Sequence, residues 1–323
     1  MPMKTVINKA AVPAISGKPS VIQKIGKELF RNRYLYIMAL PVIIYYILFC
    51  YTPMYGIIIA FKRYEIAKGI LQSPWVGFQH FQDFYKSIYF WRLIENTFLI
   101  SFYDLLWGFP APIIFALLLN EIKNSAFKRT VQTITYLPYF ISLVVICGMI
   151  TDFFSNNGVI TRLTAMFNGG RVINFLAEPQ YFRSLYVGTN IWQNVGWGTI
   201  IYLAALSAIP QEQYEAARID GAGRFKQTIH VTLPGIMSTI IILLILRAGQ
   251  IMSVGFEKII LLYNPATYET SDVISSFVYR RGLGEGFQYS YSAAIGLFQS
   301  VINFVLLLAA NYLSKKYSDI KLL

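Results

Sequence analysis

The sequence predicts an all-α membrane protein with about six transmembrane helices. Of its 323 residues, 55% are hydrophobic and only 14% charged, whereas a soluble domain carries about 25% charged residues. The apolar residues come in blocks as long as the ~20 residues that a helix needs to cross a bilayer. Those blocks run uninterrupted, without the alternation that shorter barrel strands would show.

Taken in order, residues 1–33 form a basic tail, with Lys4, Lys9, Lys18, Lys24, Lys27, Arg31 and Arg33. From Ser20 onward, Val21, Ile22, Ile25, Leu29 and Phe30 recur at helical spacing between charged residues. That pattern suits an amphipathic helix on the inner membrane surface, and it suits equally a basic flank for the first span. The spans are expected at 34–61 (with a break near Pro53), 94–120 (bent at Pro110 and Pro112), 131–153, 182–209, 235–256 and 289–313. Residues 62–93, 154–181 and 257–288 are expected as external loops. The first carries an interfacial helix marked by Phe78, Phe81, Phe84 and Tyr85. The chain thus divides into a tail (1–33), a transmembrane domain (34–313) and a C-terminal tail (314–323). No cleavable signal peptide is expected, because the first apolar run is too long and lacks a small-residue cleavage pattern.

Six spans place both termini on one side. The two tails with residues 121–130 and 210–234 hold 16 of the 28 Lys and Arg. Positive segments stay inside, so these segments are expected in the cytoplasm. The net charge of +12 then reflects attraction to the anionic membrane face rather than to nucleic acid. Cys50 and Cys147 sit in apolar runs as small apolar side chains. His80 and His230 fall on opposite sides, so no metal site is expected. No GxxxxGK[ST] phosphate loop occurs, and neither HExxH, GxSxG nor paired intramembrane carboxylates are present, which argues against an enzyme.

Polar side chains inside spans are costly and usually face a bundle interior or a water-filled path. Asn190, Gln193, Asn194 and Trp197 fall on one helix face. Gln299 and Asn303 are four apart, and Arg247 and Gln250 three apart. Amides beside an aromatic ring suit a sugar; they also suit helix–helix hydrogen bonding. Asp104 and Arg247 lie at similar depth, so an ion pair across the bundle is one expectation. A bidentate contact from Arg247 to an anionic solute group, such as a uronate carboxylate, is the other.

The segment 210–234 is a short polar insert between apolar runs. It opens with helix formers, breaks at Gly221-Ala222-Gly223, and ends at Pro234. Glu215-Ala216-Ala217, then Gly221, then Val231-x-Leu233-Pro234 resembles the EAA loop of permeases in binding-protein-dependent ABC importers, with Val231 where the pattern has an isoleucine-like residue. The lead-in before Tyr34 and the segment PWVGFQHFQDF…FWRLIENT resemble the polysaccharide and oligosaccharide branch of the maltose-type permeases, which includes alginate importers.

The resemblance implies a type I ABC importer permease fold in a bacterial inner membrane. It implies a second permease subunit of different sequence, two ATPase subunits that hold the ATP and Mg, and an external solute-binding protein delivering an oligosaccharide. This chain would bind no cofactor of its own. Carried over by position, Glu215, Ala216, Ala217 and Gly221 become the ATPase-docking residues. The substrate-path candidates are Asp104, Asn190, Gln193, Asn194, Trp197, Arg247, Gln250, Gln299 and Asn303. An ATPase-independent ion-coupled carrier or channel would explain Asp104 and Arg247 as coupling charges, but not the docking loop.

Overall fold

A computed structural model describes residues 30–284 and 286–317. The amphipathic helix expected from Ser20 lies almost wholly outside the described residues. Two compact units divide at Gly56/Ile57.

In the first unit, α1 (Arg33–Tyr45) carries Pro41 and continues through a π-helical segment, Tyr46–Tyr51, and a short turn, Thr52–Met54. None of these segments contains a buried residue. A helix that is apolar on every side and buries none of them matches a lipid-facing span. The helical residues run on to Phe61, 29 in all. The expected break near Pro53 is therefore a change of helix type and not an interruption: Pro53 falls in the first turn of Thr52–Met54, where its missing N–H costs little.

Among the described residues, the regular structure of the second unit is helical, with one isolated bridge, Lys62 to Trp75, outside the helices. The interfacial helix exists as α2 (Gln79–Lys86), and its aromatic Phe84 is buried. The second span is α3 (Phe90–Tyr103), a π-helical turn at Asp104–Gly108, and α4 (Pro110–Glu121). Pro110 has no N–H to donate one turn back, and the ladder loosens into the wider turn just before it.

The third span expected at 131–153 is not one helix. It is α5 (Ser125–Tyr136), a 3₁₀ turn at Leu137–Phe140, and α6 (Leu143–Phe154). Pro138 restricts Leu137 and removes a donor. Ser142 then caps α6, its Oγ accepting from Val145 N. α7 (Val159–Phe167) follows at once.

The fourth span is α8 (Pro179–Ser207), 29 residues or roughly 43 Å at 1.5 Å per residue. Its polar face keeps it out of the four or five helices that are long and apolar enough to cross a membrane by composition alone. It is also the spine. Ile113 and Ala116 of α4 pack on its Tyr202 and Leu206. Ile100 of α3 and Ile146 of α6 pack on its Phe182 and Tyr186. Gly196 lets α8 touch the α5 backbone: a Cβ there would stand 2.1 Å from the Thr135 carbonyl oxygen.

After α9 (Gln211–Ile219), the chain turns through 60° around Ile236 into α10 (Met237–Ala248). The fifth span was expected to 256; the helix stops at Ala248, and 249–255 are irregular. Residues 257–288, expected as an external loop, instead fold into α11 (Phe256–Leu262), a turn at Tyr268–Ser271 and α12 (Ile274–Gly282). Their Ile259, Val273, Ile274 and Phe277 are core residues. Asn264-Pro265 and the glycines mark breaks between short helices rather than an open loop. The last span is α13 (Tyr289–Tyr317).

Asp272 ties this segment down. It is fully buried and receives Arg280 at 2.7 Å and Arg92 at 3.3 Å. Asn96 of α3 donates to the carbonyls of Glu269 and Asp272 and accepts from Arg183 of α8 at 2.8 Å. Burial opposes the Arg280 charge, but the hydrogen bond and charge of Asp272 outweigh it and hold the guanidinium above its ordinary value.

Gly196→Ala should lower thermal stability by about 1–3 kcal/mol, since a methyl group there must displace backbone. Gly148→Ala, with nothing within 4 Å of its Cβ, should be neutral or slightly stabilising. Melting of the detergent-purified protein, followed for the two variants side by side, checks this.

Candidate functional site

Two polar features stand out, one between spans and one among them. The first is the segment 210–234. Glu212 in the first turn and Arg218 in the last complement the α9 dipole. The helix ends in a Schellman motif: Ala222 N–H donates to Ala217 O at 2.9 Å, and Gly221 N–H to Arg218 O at 3.0 Å. Gly221 sits at φ +75°, a conformation in which glycine avoids the Cβ penalty. Gln227 Nε2 closes the turn on Ala222 O at 2.7 Å. Tyr214 Oη and Thr232 Oγ1, 3.1 Å apart, fasten α9 to the segment that leads into α10.

Glu215 and Ala216 are exposed and Ala217 is half-buried. Beside them stand two side chains the sequence reading passed over. Ile219 is 87% exposed and Phe225 is 77% exposed. Large apolar groups in a polar, water-facing loop are the mark of a contact surface. Their signal in the sequence was available: they flank the Gly221 turn where only polar residues would be needed.

The second feature is a cavity of about 560 Å³ among α3, α4, α8, α10 and the irregular segment after it. Asp104, Asn190, Asn194, Trp197, Arg247 and Gln250 all line it. Arg247 Nη2 donates to Asp104 Oδ2. Asn190 Nδ2 donates to Asp104 Oδ1 at 2.6 Å, and Asn194 Nδ2 donates to Asn190 Oδ1 at 2.9 Å. The expected pair therefore forms, and an amide relay extends it along α8. The Asp104 side chain is only 10% exposed, and the Arg247 side chain 48%. The carboxylate is consumed by its partners, while the guanidinium still faces the cavity.

The remaining candidates separate. Trp197 lines the cavity with its ring stacked on Tyr139, centroids 4.6 Å apart. Gln193 is half-buried on the same helix but is not a lining residue. Gln299 and Asn303 are not lining residues either. Gln299 Nε2 donates to Met252 O, while Asn303 accepts from Met252 N–H at 3.0 Å and donates to Ser253 Oγ at 2.7 Å. They satisfy the backbone where the fifth helix has ended.

Lys258 was hidden by reading its segment as an external loop. It is buried, its Nζ lies 5.3 Å from the centre of the Tyr186 ring, and it has no hydrogen-bond partner among the described residues. Tyr186 forms part of the cavity wall. With Asp104 matched by Arg247, Lys258 leaves a positive charge just behind the cavity.

Apolar helices long enough to span a membrane, a polar cavity among them and an apolar-tipped loop between two of them fit a transport subunit. Residues 108–319 match the binding-protein-dependent transport system inner membrane component family, and the chain belongs to it. Protein LplB of Bacillus subtilis (strain 168) is 43% identical over 318 residues, 98% of this chain and 99% of its own. The polygalacturonan/rhamnogalacturonan transport system permease protein YteP of the same organism is 42% identical over the same shares. A chain of a bacterial alginate ABC transporter, solved in complex with an alginate pentasaccharide-bound periplasmic protein, superposes with a TM-score of 0.85. It is 41% identical and covers 93% of this chain and 100% of that one. The fold is that of a type I ABC importer permease.

Arg247→Met should destabilise the protein by about 1–3 kcal/mol, because it strands a buried carboxylate. Asp104→Asn in the same chain should restore most of that loss. A double-mutant cycle on thermal unfolding reads the coupling.

Proposed function

We propose that this chain is one of two permease subunits of an ATP-driven importer that brings acidic oligosaccharides, delivered by an extracytoplasmic binding protein, across the inner membrane. The observation that carries the reading is the 210–234 loop. It has the EAA spacing, a fixed glycine turn and an exposed apolar pair, all on one rigid element. Both termini and this loop face the cytoplasm in this reading, in keeping with the basic residues there. Two ATPase subunits supply ATP and Mg, and one of them receives α9.

The geometry gives the loop a mechanical path. α9 is tied through Tyr214 and Thr232 to the turn at Ile236, and α10 runs from that turn to Arg247. A displacement of α9 on closure of the ATPases therefore moves the helix that carries Arg247. Glu215 pairs with a basic residue of the ATPase, Ala216 and Ala217 allow close approach, and Ile219 and Phe225 bury apolar area in its cleft.

The cavity supports a sugar, and an anionic one. Trp197 offers a face for C–H groups, Asn190, Asn194 and Gln250 offer hydroxyl partners, and Arg247 offers its remaining donors. Lys258 adds an unmatched positive charge behind the wall. The relatives named for polygalacturonan and alginate carry acidic sugars, which agrees with this charge.

Gly221 has nothing within 4 Å of a Cβ position. Gly221→Asp therefore meets no neighbouring atom, but it puts a Cβ on a left-handed backbone at φ +75°, so its expected loss of ATP-driven uptake combines a strained turn with a charge placed on the docking surface. Ile219→Asp and Phe225→Asp should weaken ATPase association by about tenfold or more each, from lost apolar burial and an inserted charge. Co-purification with the ATPase and vesicle uptake measure both; normal uptake in all three variants would refute the docking role.

Arg247→Gln should reduce uptake of oligogalacturonate or oligomannuronate more than uptake of any neutral oligosaccharide. Equal loss for both would remove the acidic specificity from this residue.

A further inference from the structure

A second large cavity, about 660 Å³, lies where the connection after the first span meets the segment leading into α13. Spans alternate in direction, so this end of the bundle is opposite to the 210–234 loop. Its size falls within the ~300–1,000 Å³ of small-ligand sites. Arg63, Tyr64, Lys86, Phe287 and Tyr289 line it. Neither Arg63 nor Lys86 is in an ion pair among the described residues, and Asp83 is the one carboxylate among the described lining residues.

The backbone of Phe287 sets this cavity apart. Phe287 stands at φ +44° and is the only non-glycine residue at positive φ among the described residues. Bulky L-residues avoid that region. Gly284, three residues earlier, does not take the left-handed conformation. The conformation holds because Gln288 N–H donates to Arg281 O at 2.9 Å, and Tyr64 N–H donates to Ser290 Oγ at 2.9 Å. The result is a phenyl ring 65% exposed, 6.4 Å from Tyr289, whose ring in turn meets Tyr64 edge-on at 6.1 Å. Strained backbone that persists under such restraint clusters at ligand sites.

We propose that this cavity is a saccharide subsite for a uronate residue. Phe287, Tyr64 and Tyr289 take the C–H faces of a sugar ring, and Arg63 and Lys86 take its carboxylate. The site receives the oligosaccharide before it reaches the cavity lined by Arg247. The ligand class rests on the acidic-oligosaccharide reading above. A cavity that combines an aromatic wall with unpaired cations suits a charged sugar better than a flat protein contact.

The test uses the complete importer, with its partner chains and cognate binding protein, reconstituted in proteoliposomes and offered oligogalacturonate or oligomannuronate. Phe287→Gly and the double variant Arg63→Gln/Lys86→Gln should each raise the apparent KM for the sugar-loaded binding protein about tenfold, the effect of losing a charge-assisted or stacking contact, with the maximal rate kept. Phe287→Tyr should behave as wild type. Phe287→Gly relieves the backbone, so its thermal stability should equal or exceed wild type; weaker uptake from a protein at least as stable identifies the ring as functional. Unchanged KM in Phe287→Gly and in the double variant, with wild-type uptake intact, overturns the site alone. So does a rise matched by an equal weakening of ATPase stimulation by the sugar-free binding protein, which would make the surface a protein contact. Absence of uptake by the wild-type importer overturns the acidic-oligosaccharide reading, and the ligand class of this site with it.

Discussion

Inside a bilayer every peptide group must find its hydrogen-bond partner within the protein. That constraint governs the fifth span. α10 stops at Ala248, and seven residues of irregular backbone follow before α11 begins. Such a segment survives at depth only when it is buried in protein or lines a cavity, and this one does both. Gln299 and Asn303 of α13 supply the donors and acceptors that the missing helix turns would have supplied. Residues 250, 251 and 253–255 meanwhile form one wall of the central cavity. The cavity exists because the helix ends, and the helix can end because the sixth span carries two amides.

Asp104 occupies the matching place on the opposite wall. It sits in a π-helical turn one step before Pro110, where the ladder is already loosened. A buried carboxylate at such a point needs partners, and three helices contribute to its network: Arg247 from α10, Asn190 and Asn194 from α8, and the turn itself after α3. Gly108 leaves room for it; a Cβ there would stand 3.0 Å from Asp104 Oδ1. The same bonds that hold the carboxylate also fix the direction of the Arg247 guanidinium, so structural pairing and a role toward an anionic solute are not alternatives. One nitrogen is committed to Asp104 and the rest of the group stays open to the cavity.

The loop at 210–234 and the cavity are mechanically joined. The Schellman turn at Gly221, the Tyr214–Thr232 contact and the bend at Ile236 make a stiff crank that ends on α10. At the other end of the bundle Asp272 clamps α12 and the turn before it to α3 through Arg92, Arg280 and Asn96, and Arg183 carries the link from Asn96 to α8. In the proposed mechanism, a push on α9 would reach the cavity wall along this path.

The sequence by itself determined the membrane class, the helices expected at 34–61, 94–120, 182–209 and 289–313 to within a few residues, and the glycine turn in the polar segment 210–234. These depend on apolar run length and on local turn chemistry, and both are written in contiguous residues. It also placed Asp104 and Arg247 at similar depth, which made their pairing a natural expectation. What only the tertiary structure decided is which polar groups serve whom. Asn190 and Gln299 look alike in the sequence; one lines the cavity and the other repairs backbone, because that choice depends on where a helix far from both in the chain has ended. The split of 131–153 at Pro138 and the folded core at 256–282 were hidden for a related reason. Short helices broken by proline, asparagine and glycine have the local signature of loops, and only long-range packing on α3 and α8 gives their apolar faces a place to be buried.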